Sequence, residues 1–388
     1  MAKNMTVEQL KEVQAKLGLP ISPYWTNLLR GLEVHEVGVI KASGKLIVPP
    51  SLDLIVSDYE VLDNQLGIAL PLVIGGGPQY DALPAYSSSG KVNGIRVTSS
   101  ELLSQILPVA QQNLDSVVNA LDSSKVSAVA MPYSVFRVKP HGVEVDSASG
   151  KEQDVGFVGD VVYVDTAPVI AALYQGKIPV LSHIGVDDNG QQYNINATTA
   201  AAELVKWLQA YKLIVLGNCP ILDNTGQVIS EFKSEAALNQ MIKQGVINGG
   251  MALNAREAYA FLKAMGPGRT VQLTTPANLL KELVSDGAGT ILRMPFIIQS
   301  YQSPEHFGTA RLTDLINDAF ASRGKRLSPG YFLDNGIIKL YVDAEKTGGA
   351  IVKQLEGVPY MCKLFTHPDF RGNGLASQIM ERINADYG

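Results

Sequence analysis

Short apolar runs alternate with amphipathic helical patterns along this chain from about residue 35 to residue 295. The strand-like runs are VGVIK, LPLVIGGG, KVSAVAM, KIPVLSHIG, YKLIVLG and RTVQLTT, and helical stretches such as TAAAELVKWLQ and AREAYAFLKAM lie among them. Parallel strands that are buried on both faces carry such continuous apolar runs and need helical crossovers between them. The alternation therefore predicts an α/β domain with a mostly parallel central sheet sandwiched between helices.

The pattern changes after residue 295. A polar stretch, SYQSPEHFGTA, precedes the helical pattern RLTDLINDAFASR, the strand-like runs GIIKLYVD, GAIVKQL and VPYMCKLFTHP, and a closing helical pattern. A helix followed by meandering strands indicates a different α/β domain. At the other end, apolar residues recur at helical spacing between Val7 and Leu17. We predict an N-terminal helix within residues 1–30, a first domain over 31–296 and a second over 305–388.

The composition limits the classes of function. The 388 residues are 46% hydrophobic and 18% charged, which is typical of packed globular domains. A net charge of -5 argues against nucleic-acid or anionic-membrane partners, and no apolar run reaches the roughly 18 residues of a membrane-spanning helix. Cys219 and Cys362 are interpreted as reduced, buried thiols of a cytoplasmic protein. No disulfide and no metal site is expected.

Glycine-containing turns occur where each domain could hold an anion. Gly76 and Gly77 follow the apolar run PLVI, and glycines let backbone amides approach a phosphate closely. The turn RGNG at residues 371–374 opens a helical pattern, and a helix N-terminus favours negative charge. The predicted buried stripe of this helix is Leu375, Ile379, Met380 and Ile383. Either turn alone is also a common structural turn. The strand before each turn and the helical pattern after the second favour phosphate-binding loops.

Several motifs resemble the N-acetylglutamate kinase family, specifically the kinase-like domain joined to an acetyltransferase domain in N-acetylglutamate synthases and bifunctional synthase-kinases. They are GGGPQYDAL, VNGIRVTSSELL, SHIGVDDNGQQYNINATTAAAEL, GVINGGMALNAREA and LLKELVSDGAGT, in family order. GVPYMCKLFTHPDFRGNGLA resembles the central strand and acetyl-CoA loop of a GNAT-type acetyltransferase. The resemblance implies an amino acid kinase-like sandwich followed by a GNAT-type α/β domain.

The resemblance implies roles for residues of the first domain. Lys41 matches the catalytic lysine after the first strand, and Gly76 and Gly77 match the amides that contact the transferring phosphoryl group. Arg96 matches the arginine that holds the carboxylate of acetylglutamate; an unassigned arginine is otherwise usually a solvated surface group. Asn194 and Asn196 match the asparagines that meet substrate and phosphate, although asparagines also form turns.

The first domain departs from the kinase pattern at several of these places. Thr198 stands where the family has an aspartate, Asn254 where it has a second lysine, and Ile74 where a histidine usually precedes the glycines. Arg256 lies two helical positions beyond Asn254, which turns it to another face. Pro84 interrupts the helix expected after the glycines. Losing one cation and the aspartate removes transition-state stabilisation of several kcal/mol, so we expect a kinase fold without kinase activity.

The resemblance also implies two further ligand sites. In the second domain the acetyl-CoA loop comprises Arg371, Gly372, Asn373, Gly374, Leu375 and Ala376. Lys363 matches a lysine that meets the glutamate substrate, or else points outward from its strand. In arginine-regulated relatives, the residues matching Glu282, Gly287 and Gly289 bind L-arginine beside the N-terminal helix. Otherwise Glu282 is a surface residue of a helix whose core face is Leu279, Leu280, Leu283 and Val284.

The predicted function is N-acetylglutamate synthesis from acetyl-CoA and L-glutamate, as a step of arginine biosynthesis, with a degenerate kinase domain. In the family the acetyltransferase domain continues past the last helix, so we expect an incomplete domain here. The alternatives are an N-acetylglutamate kinase, which would need ATP and Mg²⁺, and a non-catalytic arginine-binding regulatory protein or gene fragment. A homo-oligomer is expected, with L-arginine as an inhibitor.

Overall fold

The structure is a computed structural model that describes the chain from residue 38 onward, with gaps. The described ranges are 38–147, 149–232, 234–265, 269–284, 289–293, 295–321, 324, 326–328, 330–333, 336–344, 346–368 and 374–387. These residues form two compact units, one through Arg293 and one from residue 295 onward. The predicted N-terminal helix lies outside the described residues.

The first unit is built on an eight-stranded sheet in the order β14-β16-β15-β13-β1-β2-β10-β5. The strands described in this unit are Gly38–Ala42 (β1), Leu72–Ile74 (β2), Lys91–Val92 (β3), Ile95–Arg96 (β4), Ala128–Ala130 (β5), Phe136–Pro140 (β6), Val143–Val145 (β7), Glu152–Asp154 (β8), Gly159–Val164 (β9), Ile178–Leu181 (β10), Ile184–Val186 (β11), Gln192–Asn194 (β12), Lys212–Leu216 (β13), Glu231–Phe232 (β14), Thr270–Thr274 (β15) and Thr290–Arg293 (β16). Neighbouring strands run parallel except β15 and β16. The predicted mostly parallel sheet is therefore confirmed.

Helices flank the strands in the first unit. Those described are Ser51–Val61 (α1), Pro78–Asp81 (α2), Pro84–Ser88 (α3), Ser100–Ser123 (α4), Ala167–Tyr174 (α5), Ala197–Leu208 (α6), Glu235–Lys243 (α7), Gly249–Met265 (α8) and Leu279–Val284 (α9). A π-helical turn, Leu62–Leu66, extends α1, and 3-10 turns occupy Tyr133–Val135 and Pro276–Asn278. Pro84 begins α3, because proline is tolerated in a first helical turn. The helix expected after the glycines is thus split into α2 and α3.

The register of the central sheet brings four strand ends to one edge. Ala42 pairs with Ile74 of β2 and with Leu216 of β13, and Leu216 pairs with Thr274 of β15. Val39 and Ile40 are fully buried between the two helical layers, which explains the uninterrupted apolar runs in the sequence. Ligands of open α/β sheets bind beyond the carboxyl ends of the strands, so this edge is where a site is expected.

Smaller sheets extend the first unit. A four-stranded sheet has the order β12-β11-β6-β9, and β3-β4 and β7-β8 are separate two-stranded ribbons. The sequence patterns did not indicate these ribbons, because their strands are only two or three residues long and largely exposed.

The second unit is an antiparallel sheet in the order β17-β18-β19-β20. Its described elements are Ile298–Tyr301 (β17), Pro304–Phe307 (α10), Thr309–Phe320 (α11), the 3-10 turn Tyr331–Leu333, Ile337–Asp343 (β18), Gly348–Leu355 (β19), Val358–Thr366 (β20) and Leu375–Tyr387 (α12). β17 is a correction to the sequence analysis, which placed a helix first in this unit. Its short IQSY run lies inside a stretch that was interpreted as polar.

Each face of this sheet packs on a helix. Ala350 and Val352 of β19 share one apolar cluster with the buried residues of α12, and Ile351 lies in another with Leu312 and Ile316 of α11. The alternation follows from the two-residue period of a strand. In α12 Leu375, Ile379 and Ile383 are buried and Met380 packs beside them, which confirms the predicted apolar stripe.

Two simpler expectations have clear outcomes. Both cysteines are free thiols, but Cys219 is exposed, so its predicted burial is wrong: it follows the end of β13, on the rim of a cavity. Among the described helices, none is both long enough and apolar enough to cross a membrane.

Candidate functional site

A cavity of about 740 Å³ opens at the carboxyl edge of the central sheet in the first unit. The charged side chains among its described lining residues are Lys41, Lys45, Asp223 and Glu257. Its apolar lining residues are Val215, Leu216, Ile221, Leu222, Val246, Met251, Ala258, Phe261 and Leu273. Thr198, Asn218, Cys219 and Asn248 are among the neutral polar lining residues. Its size and mixed lining suit a small organic ligand that carries negative charge.

Lys41 is half-buried and places a desolvated ammonium group at this cavity. Burial lowers the pKa of Lys41 to about 8; the charge of Glu257 opposes that shift and the charge of Lys45 adds to it. Lys41 is the penultimate residue of β1, and Lys45 lies four residues further on, in the turn that follows the strand. Their proximity makes this end of the cavity the natural place for an anion.

Two glycine loops meet beside Lys41. The amide of Gly75 donates to the carbonyl of Ala42 at 3.0 Å, which ties the loop after β2 to β1. Gly77 has a φ of 55°, and a Cβ added there would lie 2.5 Å from the Cα of Gly44. A Cβ on Gly44 would lie 2.3 Å from the carbonyl carbon of Gly76. The loops touch backbone to backbone, so only glycine fits at these positions.

The N-terminus of α6 borders the same loops. Asn196 caps this helix, since its side-chain oxygen accepts from the amides of Thr198 at 2.8 Å and Thr199 at 3.2 Å. Asn194 donates from Nδ2 to the hydroxyl of Thr98 at 3.3 Å. Thr198 itself lines the cavity. The side chain of each asparagine thus makes structural hydrogen bonds, two for Asn196 and one for Asn194, and their predicted ligand contacts stay predictions.

Arg96 is held against its own chain. Its Nη1 donates to the carbonyl of Ser89 at 2.9 Å and to the carbonyl of Tyr86 at 3.3 Å, and its guanidinium carbon lies 4.0 Å from the centre of the Tyr86 ring. The side chain is half-buried, so the alternative of a solvated surface arginine is wrong. These contacts hold one edge of the guanidinium that the sequence analysis assigned to a substrate carboxylate.

His183 is a residue of this region that the site prediction missed. Its Nδ1 donates to the carbonyl of Ile74 at 3.1 Å, immediately before the glycines. Burial, with a smaller contribution from the charge of Lys41, lowers the pKa of His183 to about 4. The Tyr80 ring lies 5.4 Å from the imidazole and packs under Gly76. The available signal was its position in SHIG, at the end of an apolar run.

Glu282 is fully buried on α9, so the alternative of a surface glutamate is wrong. Its carboxylate accepts a hydrogen bond from the side-chain amide of Gln272, and its carbonyl accepts from Nζ of Lys212 at 3.3 Å. Leu279, Leu280 and Leu283 form the predicted core face. A Cβ on Gly289 would lie 2.6 Å from the carbonyl of Leu273, so the chain passes closely there. The predicted arginine contacts remain a prediction.

The second unit presents a bulged strand on the edge of its sheet. Within the described sheet, β20 has a paired neighbour on one side only. Ile351 pairs with Lys363 and Val352 with Met361, so Cys362 is an extra residue that forms a β-bulge. The Tyr331 hydroxyl lies 3.3 Å from Sγ of Cys362, and the Lys363 ammonium lies 4.7 Å from the centre of the Tyr331 ring. Lys363 is half-buried, not simply outward-facing.

The remaining predicted positions are placed as follows. Gly374 has a φ of 87° and precedes α12, which begins with Leu375 and Ala376. Arg256 is exposed and is not among the described lining residues of the cavity, as expected from its helical phase. Asn254 lies on α8. Gly287, Arg371, Gly372 and Asn373 lie outside the described residues. No group of His, Cys, Asp or Glu among the described residues is arranged to hold a metal ion.

Comparisons with known proteins agree with this architecture. Residues 36–271 match the amino acid kinase family, and residues 299–388 match the N-acetyltransferase domain of N-acetylglutamate synthase. An acetylglutamate kinase of Xanthomonas campestris is 30% identical over 358 residues, which cover 90% of this chain and 80% of the relative. The chain belongs to the amino acid kinase family, in its acetylglutamate synthase and kinase group. The predicted resemblance is confirmed, and this group acts in arginine biosynthesis.

Solved structures show the same fold for this family member. N-acetylglutamate synthase from Neisseria gonorrhoeae, complexed with coenzyme A and N-acetylglutamate, is 22% identical with a TM-score of 0.67. The alignment covers 99% of this chain and 87% of that one. The same synthase with coenzyme A and L-arginine gives a TM-score of 0.62 at 21% identity, covering 99% of this chain and 88% of that one. Both an amino acid kinase-like unit and a GNAT-like unit are therefore present here.

Proposed function

We propose that the second unit transfers the acetyl group of acetyl-CoA to the amino group of L-glutamate, and that the first unit does not transfer phosphate. The observation that carries this proposal is the bulged edge strand β20, which leads toward the N-terminus of α12. The match of residues 299–388 to the acetyltransferase domain of N-acetylglutamate synthase supports it.

The edge strand offers the contacts that an acyl-CoA needs. The pantetheine arm is a linear chain with two amides, so it can hydrogen-bond along the open side of β20 as an added strand does. A bulge leaves backbone groups outside the regular ladder, and such amides can polarise a thioester carbonyl. A helix N-terminus after the strand favours the pyrophosphate. These three features follow one another along the chain.

The proposed reaction is direct. The neutral amine of glutamate attacks the thioester carbonyl, a C–N bond forms and the C–S bond breaks. Coenzyme A leaves as the thiol after taking the proton that the amine loses, and N-acetylglutamate is the product. Lys363, half-buried beside Tyr331, would hold a glutamate carboxylate. Holding the two reactants together supplies most of the required acceleration.

The first unit supports the second half of the proposal. Thr198 supplies no charge where kinases of the family have an aspartate, and one side of the Arg96 guanidinium is held by Tyr86 and Ser89. Phosphoryl transfer depends on cations and positioning groups around the transferring phosphate. The charge of Glu257 acts on Lys41 and is opposite in effect to a cation, because it repels a phosphate.

The test is a pair of activity assays on the full chain, one for acetyl transfer and one for phosphoryl transfer. Release of coenzyme A is measured with acetyl-CoA and glutamate, and release of ADP with ATP, Mg²⁺ and N-acetylglutamate. We expect coenzyme A release that depends on glutamate, and no ADP. Lys363→Met should lower kcat/KM for glutamate about 30-fold, a loss of about 2 kcal/mol. Lys177→Met, at a half-buried lysine of the first unit, is the matched control. Absence of glutamate-dependent coenzyme A release would refute the proposal.

Phosphorylation of N-acetylglutamate is the second candidate function. The cavity with Lys41 and Lys45 favours it, together with the similarity to the Xanthomonas kinase. If only the two missing charges limit turnover, the double variant Thr198→Asp, Asn254→Lys should release ADP faster than the unmodified chain does. Substantial ADP release by the unmodified chain would favour this candidate over a phosphate-inert first unit.

A further inference from the structure

The ring of Tyr331 is held beside the bulge of β20 in the second unit. Tyr331 lies in the 3-10 turn between α11 and β18, and it packs against the apolar cluster that α11 forms on one face of the sheet. The Phe332 ring meets it edge-on, with 5.2 Å between the ring centres. The Tyr331 hydroxyl lies 3.3 Å from Sγ of Cys362, the extra residue of the bulge. Apolar packing and the thiol contact therefore fix this ring next to the edge strand.

Two ammonium groups lie over this ring. Nζ of Lys363 is 4.7 Å and Nζ of Lys353 is 4.9 Å from the ring centre. Both distances are within the roughly 6 Å at which the face of an aromatic ring attracts a cation. Lys363 pairs with Ile351, two residues before Lys353 on β19, so the two lysines share one face of the sheet. The register of the bulged hairpin brings both cations to one ring.

The two lysines differ in what they offer a ligand. Lys353 is only 8% exposed, whereas Lys363 is half-buried on the edge strand. The ion pairs that the structure describes in this unit join Asp386 to Lys339 and to Arg382, so the charge of Lys363 stays available to an anion. Fixing a long lysine side chain on ligand binding costs conformational entropy. A ring that already holds the ammonium lowers that cost.

We propose that Tyr331 is a positioning residue: its ring holds the ammonium of Lys363 where that ammonium binds a carboxylate of the glutamate substrate. An ammonium has three N–H donors, so it faces the ring and still donates to a carboxylate. In this role Tyr331 acts through Lys363 and contacts no reacting atom. The inference rests on the proposed acetyl transfer and adds the residue that prepares the glutamate site.

The kinetic test compares Tyr331→Leu with Tyr331→Phe in acetyl transfer by the full chain. Leucine keeps apolar packing but has no ring, so the KM for glutamate should rise about tenfold, with kcat and the KM for acetyl-CoA unchanged. Phenylalanine keeps the ring and should stay within about twofold of the unmodified chain. Tyr387→Leu is the matched control, because Tyr387 is an exposed tyrosine of α12 with Nζ of Lys339 at 5.8 Å from its ring centre.

A double variant tests whether Tyr331 acts through Lys363. Once Lys363→Met has removed the ammonium, adding Tyr331→Leu should cause no further loss of kcat/KM for glutamate. A second loss of about tenfold in the double variant would overturn the inference, because Tyr331 would then act by another route. Equal losses in Tyr331→Phe and Tyr331→Leu would overturn it as well.

Ring-current shifts give a readout that needs no activity. Reductive methylation of the lysines keeps their charge, and the methyl NMR signal of Lys363 is assigned from its loss in Lys363→Met. This signal should lie upfield in the unmodified chain and in Tyr331→Phe, and should move downfield in Tyr331→Leu. A signal without an upfield shift in the unmodified chain would overturn the inference whatever the activity. A ring-dependent upfield shift in a chain without acetyl transfer would refute the proposed function and support the hold of Tyr331 on Lys363.

Discussion

The two units hold their polar groups in opposite ways. In the first, several described polar groups are held by the protein itself: burial desolvates the ammonium of Lys41, Asn196 caps a helix, Arg96 is bound to its own chain and Glu282 is covered. In the second, a backbone edge lies open along β20. Enclosed charges are fixed in position but reduce stability, whereas an open strand edge can bind a ligand without burying charge. The difference agrees with our proposal of a binding unit and a reacting unit within one chain.

The largest effect should follow from breaking the second unit alone. Leu375→Asp puts a carboxylate into the apolar cluster with Ala350 and Val352, at a position that is 1% exposed. Burying an unpaired charge there should unfold this unit and reduce acetyl transfer more than about 100-fold. Ser377→Asp, at an exposed position of the same helix, should leave the activity intact. Calorimetry should show the first unit's transition unchanged; loss of both transitions would contradict the division into two units.

A second prediction concerns the stability that the first unit loses by desolvating the charge of Lys41. Below pH 8 Lys41 is protonated in both the folded and unfolded states, and its folded form carries the burial cost. Lys41→Met should therefore stabilise the first unit by about 3 kcal/mol at pH 7. The gain should shrink as pH rises from about 8 toward 10.5, where the unfolded lysine also loses its proton. Urea unfolding at several pH values measures it, with Lys177→Met as control. A loss of stability at pH 7 would contradict the reasoning.

The smallest expected effect concerns Asp58 of α1. Its Oδ2 accepts from the amide of Leu280 at 3.2 Å, yet burial raises the pKa of Asp58 to about 6. The unfolded carboxyl ionises first, so this group makes folding less favourable as pH rises from about 4 to 6. Asp58→Asn keeps an acceptor and should stabilise the protein by about 2 kcal/mol above pH 6 and by little at pH 4. Thermal unfolding at both pH values checks this; Asp53→Asn, at an exposed site on the same helix, is the control.

The architecture was predictable from sequence wherever elements have a strong period. The apolar runs became β1, β2, β13 and β15, and the stripe of α12 was anticipated, because burial on both faces or on one helical face leaves a regular pattern. The strand IQSY and the ribbons β3-β4 and β7-β8 were missed. They are short and exposed, and their pairing depends on neighbours that a local pattern does not encode.

The sequence predicted which residues belong to the site better than it predicted how they contact one another. Lys41 and Thr198 do line one cavity, as expected from the carboxyl ends of parallel strands. Glu257 and His183 were missed, because what matters for each is a partner distant in sequence: Lys41 for the first and the carbonyl of Ile74 for the second. The burial of Glu282 was likewise set by Gln272 on β15, which nothing in LLKELV indicates.

The bulge in β20 has a consequence for insertions and deletions. Ile351 pairs with Lys363 and Val352 with Met361, so both flanking pairs would stay in register if Cys362 were deleted. The sheet does not need this residue to align its strands. A chain one residue shorter would keep the hairpin, the faces of β19 and the packing of α12, and would lose the irregular edge and the contact of Cys362 with Tyr331. The alignment of the strands therefore does not fix the number of residues in β20.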